Sequence, residues 1–145
     1  MIIRDILSLK GSVIISVTPE DTVAMAVSIM VDKDIGSVVV MDSGRMAGMV
    51  TFREVLKLAD ARGGNLGDTP VSAIMVREPV TGSPGDTVDH LRDVMTTNHV
   101  RYLPVLDQGA LLGVISFHDV AKATISKASF ENRLLKEYIK NWPEA

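Results

Sequence analysis

Apolar and polar residues follow each other along the chain in blocks, and the clearest block lies at residues 101–119. Apolar residues fill positions 103–106 and 111–115, and the Asp-Gln-Gly sequence between them is typical of a tight turn. Ser116 stands three positions before Asp119, which is the spacing of residues that cap the N-terminus of a helix. The pattern therefore predicts a β-hairpin that leads directly into a helix.

The same pattern occurs earlier in the chain, in the same register. A shift of 65 positions, the separation of Pro19 and Pro84, aligns the two halves without a gap as far as the following helix start. Other aligned pairs are Asp21 and Asp86, Val40 and Val105, Gly44 and Gly109, Gly48 and Gly113, and Phe52 and Phe117. Chance similarity would not keep turn glycines and helix-start residues in one register over this length. Each copy is predicted to fold as strand, helix, strand, strand, helix.

A single copy is too short to be stable by itself, so the two copies are expected to pack against each other through their strands and to share one core. A duplicated unit that pairs in this way has an approximate two-fold axis. A cleft at one copy should then have a counterpart at the other. The duplication therefore predicts two related ligand clefts.

The duplication also divides the chain into segments. These are repeat 1 at residues 1–62, a linker at residues 63–70, repeat 2 at residues 71–124 and a C-terminal amphipathic helix at residues 125–145. The last helix has apolar residues at helical spacing and basic residues on its other faces. It is expected to fold back on its own domain or to close a self-association surface, with docking on a membrane or a partner protein as the alternative. Phe130 and Trp142 are its predicted anchors.

Composition narrows the function classes. Of the 145 residues 46% are hydrophobic, and the formal net charge is -3, which disfavours binding to nucleic acid or to an anionic membrane through bulk electrostatics. The chain contains no cysteine, which excludes disulfides and thiolate chemistry. No apolar run approaches the ~20 residues that span a bilayer and no signal segment is recognised, so a cytoplasmic location is expected.

The candidate chemistry lies at the two helix starts. Ser116 with Asp119, and Thr51 with Glu54, each fit a capping box, in which the hydroxyl and the carboxylate bind unpaired backbone N–H groups. The N-terminus of a helix also attracts phosphate, and a carboxylate one turn into the helix can accept both hydroxyls of a ribose. The two roles are compatible. The three histidines lack the spacing of a metal site, and no nucleophile has an obvious general base.

These motifs, in this order and in duplicate, resemble a tandem pair of CBS domains. The resemblance rests on Asp-Thr-Val at residues 21–23 and 86–88, Leu-Pro-Val at residues 103–105, and Gly-Val-Ile-Ser-Phe-His-Asp at residues 113–119. It implies an α+β fold of two β-α-β-β-α repeats packed sheet to sheet with pseudo-two-fold symmetry, followed here by the C-terminal helix. It also implies a homodimer and an adenosine-containing ligand: AMP or ATP first, with ADP, NAD or S-adenosylmethionine as further candidates.

The resemblance assigns roles to individual residues. At the second repeat, Ser116 is implied to bind the phosphate and Asp119 the ribose. Arg101 is implied to face the phosphates, because basic residues often precede the Leu-Pro-Val strand in similar proteins. Thr81 is implied to lie near the nucleoside of the same site.

The first repeat offers the corresponding candidates Thr51, Arg53 and Glu54. It departs from the family pattern, because Glu54 replaces the aspartate and Gly36 stands where the second repeat has Arg101. A longer carboxylate has a different reach, and the loss of an arginine removes a phosphate partner. The ligand is therefore expected at the second repeat.

Taken with the resemblance, the residues predict a regulatory module and not an enzyme. Binding of the ligand would shift the population of dimer conformations, to which an unidentified target protein would respond. No catalytic residue, metal or obligatory cofactor is expected, and neither nucleic acid nor a membrane is an expected partner. The alternative is a structural dimerisation protein whose sites stay unoccupied, while a nucleotide hydrolase is disfavoured because the residues supply no nucleophile with its base.

Overall fold

Helices and strands follow each other in the order that the duplication predicts. The computed structural model describes residues 1–11 and 13–140. Its elements are α1 (Ile3–Lys10), β1 (Ser16–Val17), α2 (Val23–Lys33), β2 (Ser37–Asp42), β3 (Arg45–Thr51), α3 (Phe52–Ala61), a 3-10 turn (Val71–Ala73), α4 (Val88–Asn98), β4 (Tyr102–Asp107), β5 (Ala110–Ser116) and α5 (Phe117–Lys140). The predicted α+β fold of two repeats is confirmed.

Each repeat contains a small sheet built on a β-hairpin. In the first repeat, β1 pairs in parallel with β2, and β2 pairs antiparallel with β3. In the second repeat, β4 pairs antiparallel with β5, and the counterpart of β1 is reduced to a single parallel bridge between Gly82 and Val105. Gly82 stands where β1 has Val17, and a glycine weakens a strand because it has no side chain to pack.

Local backbone features recur at the same 65-residue separation. In first-repeat and second-repeat order they are the helix caps Thr22 and Thr87, the left-handed helix ends Asp34 and His99, the register shifts after Val40 and Val105, and the turn glycines Gly44 and Gly109. Register shifts and left-handed residues depend on the local sequence. Their recurrence confirms the duplication at the level of single residues.

The buried side chains form two clusters, and the entry segment of each repeat packs into the cluster of the other. α1 places Ile3 and Ile6 among the buried residues of α4, β4 and β5. The 3-10 turn places Val71 among the buried residues of β1, α2, β2 and β3. Backbone hydrogen bonds hold each entry segment against the other repeat. The N–H of Ile3 donates to the carbonyl of Asp86 at 2.9 Å, and the N–H of Val71 donates to the carbonyl of Asp21 at 2.7 Å. The expectation of one shared core is therefore wrong: two cores exchange segments.

α5 runs without interruption from Phe117 to Lys140 and joins the last helix of repeat 2 to the C-terminal extension. Its described extension exposes large hydrophobic side chains: Ile125 (64%), Phe130 (54%), Leu134 (49%), Leu135 (56%), Tyr138 (60%) and Ile139 (63%). This part does not fold back on its own domain, because no glycine or proline interrupts residues 122–140 and allows a reversal. Trp142 lies outside the described residues. Among the described residues, no helix combines the length and the hydropathy needed to cross a membrane.

Gly48 on β3 lies against the backbone of repeat 2 at Val76. A methyl group added at Gly48 would lie 2.7 Å from the carbonyl oxygen of Val76, a residue bound to Met49 by two backbone hydrogen bonds of 2.8 and 3.0 Å. That oxygen cannot move without breaking the bridge. Gly48→Ala is therefore expected to lower the free energy of unfolding in urea by about 1–3 kcal/mol.

The control for this substitution is Gly85→Ala. Nothing lies within 4 Å of a methyl group added at Gly85, so the free energy of unfolding should change by less than about 0.5 kcal/mol. Equal effects of the two substitutions would contradict the steric explanation.

Candidate functional site

Two clefts lie between the repeats and are related by the duplication. Cleft 1 has a volume of about 850 Å³, and its lining includes residues 13–15 and 34–37 of repeat 1 together with residues 116–119 of repeat 2. Cleft 2 has a volume of about 790 Å³, and its lining includes residues 78–80 and 99–102 of repeat 2 together with residues 51–54 of repeat 1. Each cleft thus combines the helix start of one repeat with strand-leading segments of the other, and both have the size of small-molecule sites.

The start of α5 forms one wall of cleft 1. The backbone N–H of Ser116 donates to Asp119 Oδ2 at 2.8 Å, and the N–H of Asp119 donates to Ser116 Oγ at 3.1 Å. The predicted capping box is therefore confirmed. Ser116 Oγ and the N–H groups at the start of α5 thus lie on the wall of the cleft.

Lys10, the last residue of α1, reaches into cleft 1 from the other repeat. Its Nζ donates to Asp119 Oδ2 and to the carbonyl oxygen of Val114, each at 2.7 Å. Sequence reasoning missed this residue. Lys10 and Asp119 are 109 positions apart, and a helical pattern does not indicate which distant strand the end of a helix will face.

Asp119 is held in its ionised form. Burial raises the pKa of its carboxyl, but the hydrogen bonds from Lys10 and Ser116 and the positive charge of Lys10 lower it by more, so the pKa lies below the ordinary value of 3.8. The Lys10 ammonium and the Ser116 N–H both bind Oδ2, and neither binds Oδ1. An ionised carboxylate with an oxygen available is a strong acceptor for hydroxyl groups.

The start of α3 forms the matching wall of cleft 2, with different hydrogen bonds. The N–H and the hydroxyl of Thr51 both donate to Glu54 Oε1, at 2.8 and 2.9 Å, and the N–H of Arg53 donates to Thr51 Oγ1 at 3.2 Å. The capping box predicted at this helix is also confirmed. Both donors of Thr51 therefore bind the same carboxylate oxygen of Glu54.

Arg101 lines both clefts, and its guanidinium lies over the ring of Phe52, 5.4 Å from the ring centroid. The same ring meets Tyr102 edge to face, with the ring centroids 6.2 Å apart. Arg101 thus lies at the cleft of Ser116, where it is predicted, and also at the second cleft. In each cleft the residues that precede a strand of one repeat face the helix start of the other repeat. Arg101, which precedes β4, therefore faces the start of α3 in cleft 2. The corresponding residue of repeat 1, which lines cleft 1, is Gly36.

Thr81 is exposed and lines neither cleft. This placement differs from the prediction that Thr81 lies near a ligand bound at Asp119. The segment just before it, residues 78–80, lines cleft 2, and the corresponding wall of cleft 1 is formed by residues 13–15, a Val-Ile-Ile sequence. Sequence reasoning named no residue of this apolar wall.

The histidines do not gather at either cleft. His118 lines cleft 1, His99 lines cleft 2 and His90 lies in α4. Within residues 1–11 and 13–140, no three His, Asp or Glu side chains are grouped so that they could hold a metal ion. What the clefts offer is hydrogen-bonding groups, charge and apolar walls.

Comparison with known proteins connects these features with one family. The family model of the CBS domain matches residues 3–61 and 71–126. The CBS domain-containing protein YhcV of Bacillus subtilis is 32% identical over 114 residues, which make up 79% of this chain and 81% of YhcV. The crystal structure of the CBS-domain containing protein ATU1752 from Agrobacterium tumefaciens is 32% identical, with a TM-score of 0.82 over 86% of this chain and 99% of that chain.

A further solved structure is the CBS domain pair of protein MJ0100 in complex with 5'-methylthioadenosine and S-adenosyl-L-methionine. It is 22% identical, with a TM-score of 0.76 over 88% of this chain and 98% of that chain, and at this identity the likeness shows a shared fold. The family model covers both halves of the present chain, and two relatives match it at 32% identity over most of their length. This chain therefore belongs to the CBS-domain family, with two tandem repeats.

Proposed function

We propose that this protein binds an adenosine-containing nucleotide in cleft 1 and acts as a regulatory module. The observation that carries the proposal is the start of α5, where the Asp119 carboxylate is ionised and accepts from Lys10 and from the Ser116 N–H at Oδ2, not at Oδ1. The carboxylate is suited to the ribose hydroxyls, and the helix N-terminus with Ser116 is suited to a phosphate. Residues 13–15 supply an apolar wall for the base.

Cleft 2 is proposed as the weaker site. Thr51 and Glu54 are bound to each other there, so a ligand would have to break that contact before it gained its own. Arg53 and Arg101 also line cleft 2 and supply positive charge. AMP and ATP are the ligands to test first, and S-adenosylmethionine, which the MJ0100 domain pair binds, is tested with NAD beside them.

The regulatory step is proposed to be a population shift in a homodimer. A ligand that binds one arrangement of the repeats more tightly moves the equilibrium toward that arrangement, and a target protein would respond to it. The exposed apolar side chains of α5, Phe130 and Leu134 among them, support self-association of this chain. We propose binding without turnover, because the carboxylate beside Ser116, that of Asp119, is already bound by Lys10 and by the Ser116 N–H.

Thermal unfolding tests the ligand proposal. A ligand present at about one hundred times its Kd should add about 2.7 kcal/mol to the free energy of unfolding, which corresponds to a rise in Tm of about 5–10 °C for a chain of this size. AMP, ATP, NAD and S-adenosylmethionine form the panel, and ribose 5-phosphate, which lacks the base, is the control. If none of the four raises the Tm, the ligand proposal is wrong.

The alternative function is structural dimerisation with unoccupied sites. The length of exposed apolar surface on residues 125–139 favours it. Light scattering coupled to size exclusion, on the same samples, separates the two functions. A dimer whose Tm no adenosyl ligand changes would favour the structural role.

A further inference from the structure

We propose that Lys10 is a positioning residue that makes cleft 1 the stronger nucleotide site, because it holds the Asp119 carboxylate in place for the ribose. This inference rests on the proposed function of cleft 1. It adds a determinant that comes from α1, outside the helix-start motif that contains Ser116 and Asp119.

The geometry around the carboxylate supports this role. Lys10 Nζ and the Ser116 N–H both bind Asp119 Oδ2, at 2.7 and 2.8 Å. Two donors on one oxygen fix the orientation of the carboxylate, and neither of them binds Oδ1. The side chains of Lys10 and Asp119 are 39% and 20% exposed, so water screens this ion pair less than it screens a pair on the open surface.

In cleft 2 the backbone at Val76 takes the place that the side chain of Lys10 has in cleft 1. The carbonyl of Val114, which accepts from Lys10 in cleft 1, corresponds to the carbonyl of Met49 in cleft 2. That carbonyl accepts instead from the backbone N–H of Val76 at 2.8 Å. Glu54 forms no ion pair with a described lysine or arginine. The lysine can reach cleft 1 because α1 has 8 residues, whereas the 3-10 turn at the start of repeat 2 has 3.

The charged groups that face Asp119 come from several elements. Lys10 ends α1, Asp34 follows α2, Arg101 precedes β4 and His118 lies on α5, and all of them line cleft 1. Of these described groups, Lys10 is the one within hydrogen-bond distance of the carboxylate. Its removal should raise the pKa of Asp119, because the hydrogen bond and the positive charge of Lys10, which both lower that pKa, are lost. As the pH falls, a carboxylate with a higher pKa is protonated sooner.

The test compares Lys10→Met with the unchanged protein by isothermal titration calorimetry from pH 7 to pH 4. Adenosine is the main probe, since it carries the ribose without a phosphate, and AMP is the second. Lys10→Met is expected to weaken adenosine binding at pH 7 by about three- to tenfold, and its affinity should begin to fall at a higher pH than that of the unchanged protein. Protonation of adenosine itself affects both proteins equally and therefore cancels in the comparison.

Two further variants separate positioning from a structural effect. Lys33 is the matched control, since it is the exposed last residue of α2 and lines neither cleft; Lys33→Met should leave affinity and pH profile unchanged. Lys10→Arg keeps the positive charge and should restore the pH profile.

If the unchanged protein binds neither probe, the proposed function is wrong and the role of Lys10 is wrong with it. If the unchanged protein binds and Lys10→Met binds equally well with the same pH profile, the role of Lys10 alone is overturned.

Discussion

Asp119→Ala is expected to weaken the binding of AMP by about 10- to 100-fold and to remove most of the rise in Tm that AMP causes. A hydrogen bond to an ionised group contributes about 1.5–3 kcal/mol, and each 1.4 kcal/mol corresponds to about a factor of ten in Kd. The substitution removes the Asp119 carboxylate that we propose for the ribose and leaves the Ser116 hydroxyl in cleft 1. Calorimetric titration with AMP measures the change in Kd directly.

Glu54→Ala is the matched control for this substitution. Both carboxylates belong to a capping box, at the start of α5 and of α3, so each variant should lose about 1 kcal/mol of stability without any ligand. The ligand-dependent rise in Tm is therefore measured from the unliganded Tm of each variant. Glu54→Ala should keep the Kd for AMP within about twofold, because its site is separate from cleft 1. Equal losses in both variants would overturn the ranking of the clefts.

The features that the sequence predicted well are local ones. The capping contacts at Ser116 and at Thr51 each connect residues three positions apart, and the turn at Gly44 and its counterpart at Gly109 have the positive φ that glycine allows. Such features depend on a few neighbouring residues. Because the repeats are related by 65 residues, each local feature occurs twice and its prediction can be checked in both repeats.

The features that the sequence did not predict depend on contacts between distant segments. Nothing in the sequence pattern of α1 indicates that Ile3 and Ile6 pack in the core of repeat 2. The same crossing explains why residues 78–80, just before Thr81, line cleft 2 and why Arg101 lines both clefts. Once entry segments cross between repeats, each cleft takes its two walls from different copies, and this crossing also brings Lys10 to Asp119.

Ile3→Ala is expected to lower the free energy of unfolding by about 2–5 kcal/mol, because it leaves a cavity in a packed core. Ile3 is completely buried among residues of repeat 2, although it belongs to the entry segment of repeat 1. For a chain of this size each 1 kcal/mol corresponds to about 2–4 °C in Tm. Leu9→Ala is the control on the same helix, since Leu9 is 83% exposed and should change the free energy of unfolding by less than about 0.5 kcal/mol.

The exchange of entry segments also predicts which strands of the Ile3→Ala variant will show faster amide hydrogen exchange. Val71 of repeat 2 packs in the core of repeat 1, and Ile3 of repeat 1 packs in the core of repeat 2. Neither core is therefore complete without the other repeat. Ile3→Ala should therefore accelerate amide hydrogen exchange in β2 as well as in β4, by a similar factor, because both strands open in one global unfolding step. Faster exchange confined to β4 would mean that the repeats unfold separately. In that case the crossing segments would connect two independent units, and binding in cleft 1 could not be transmitted through a single cooperative fold.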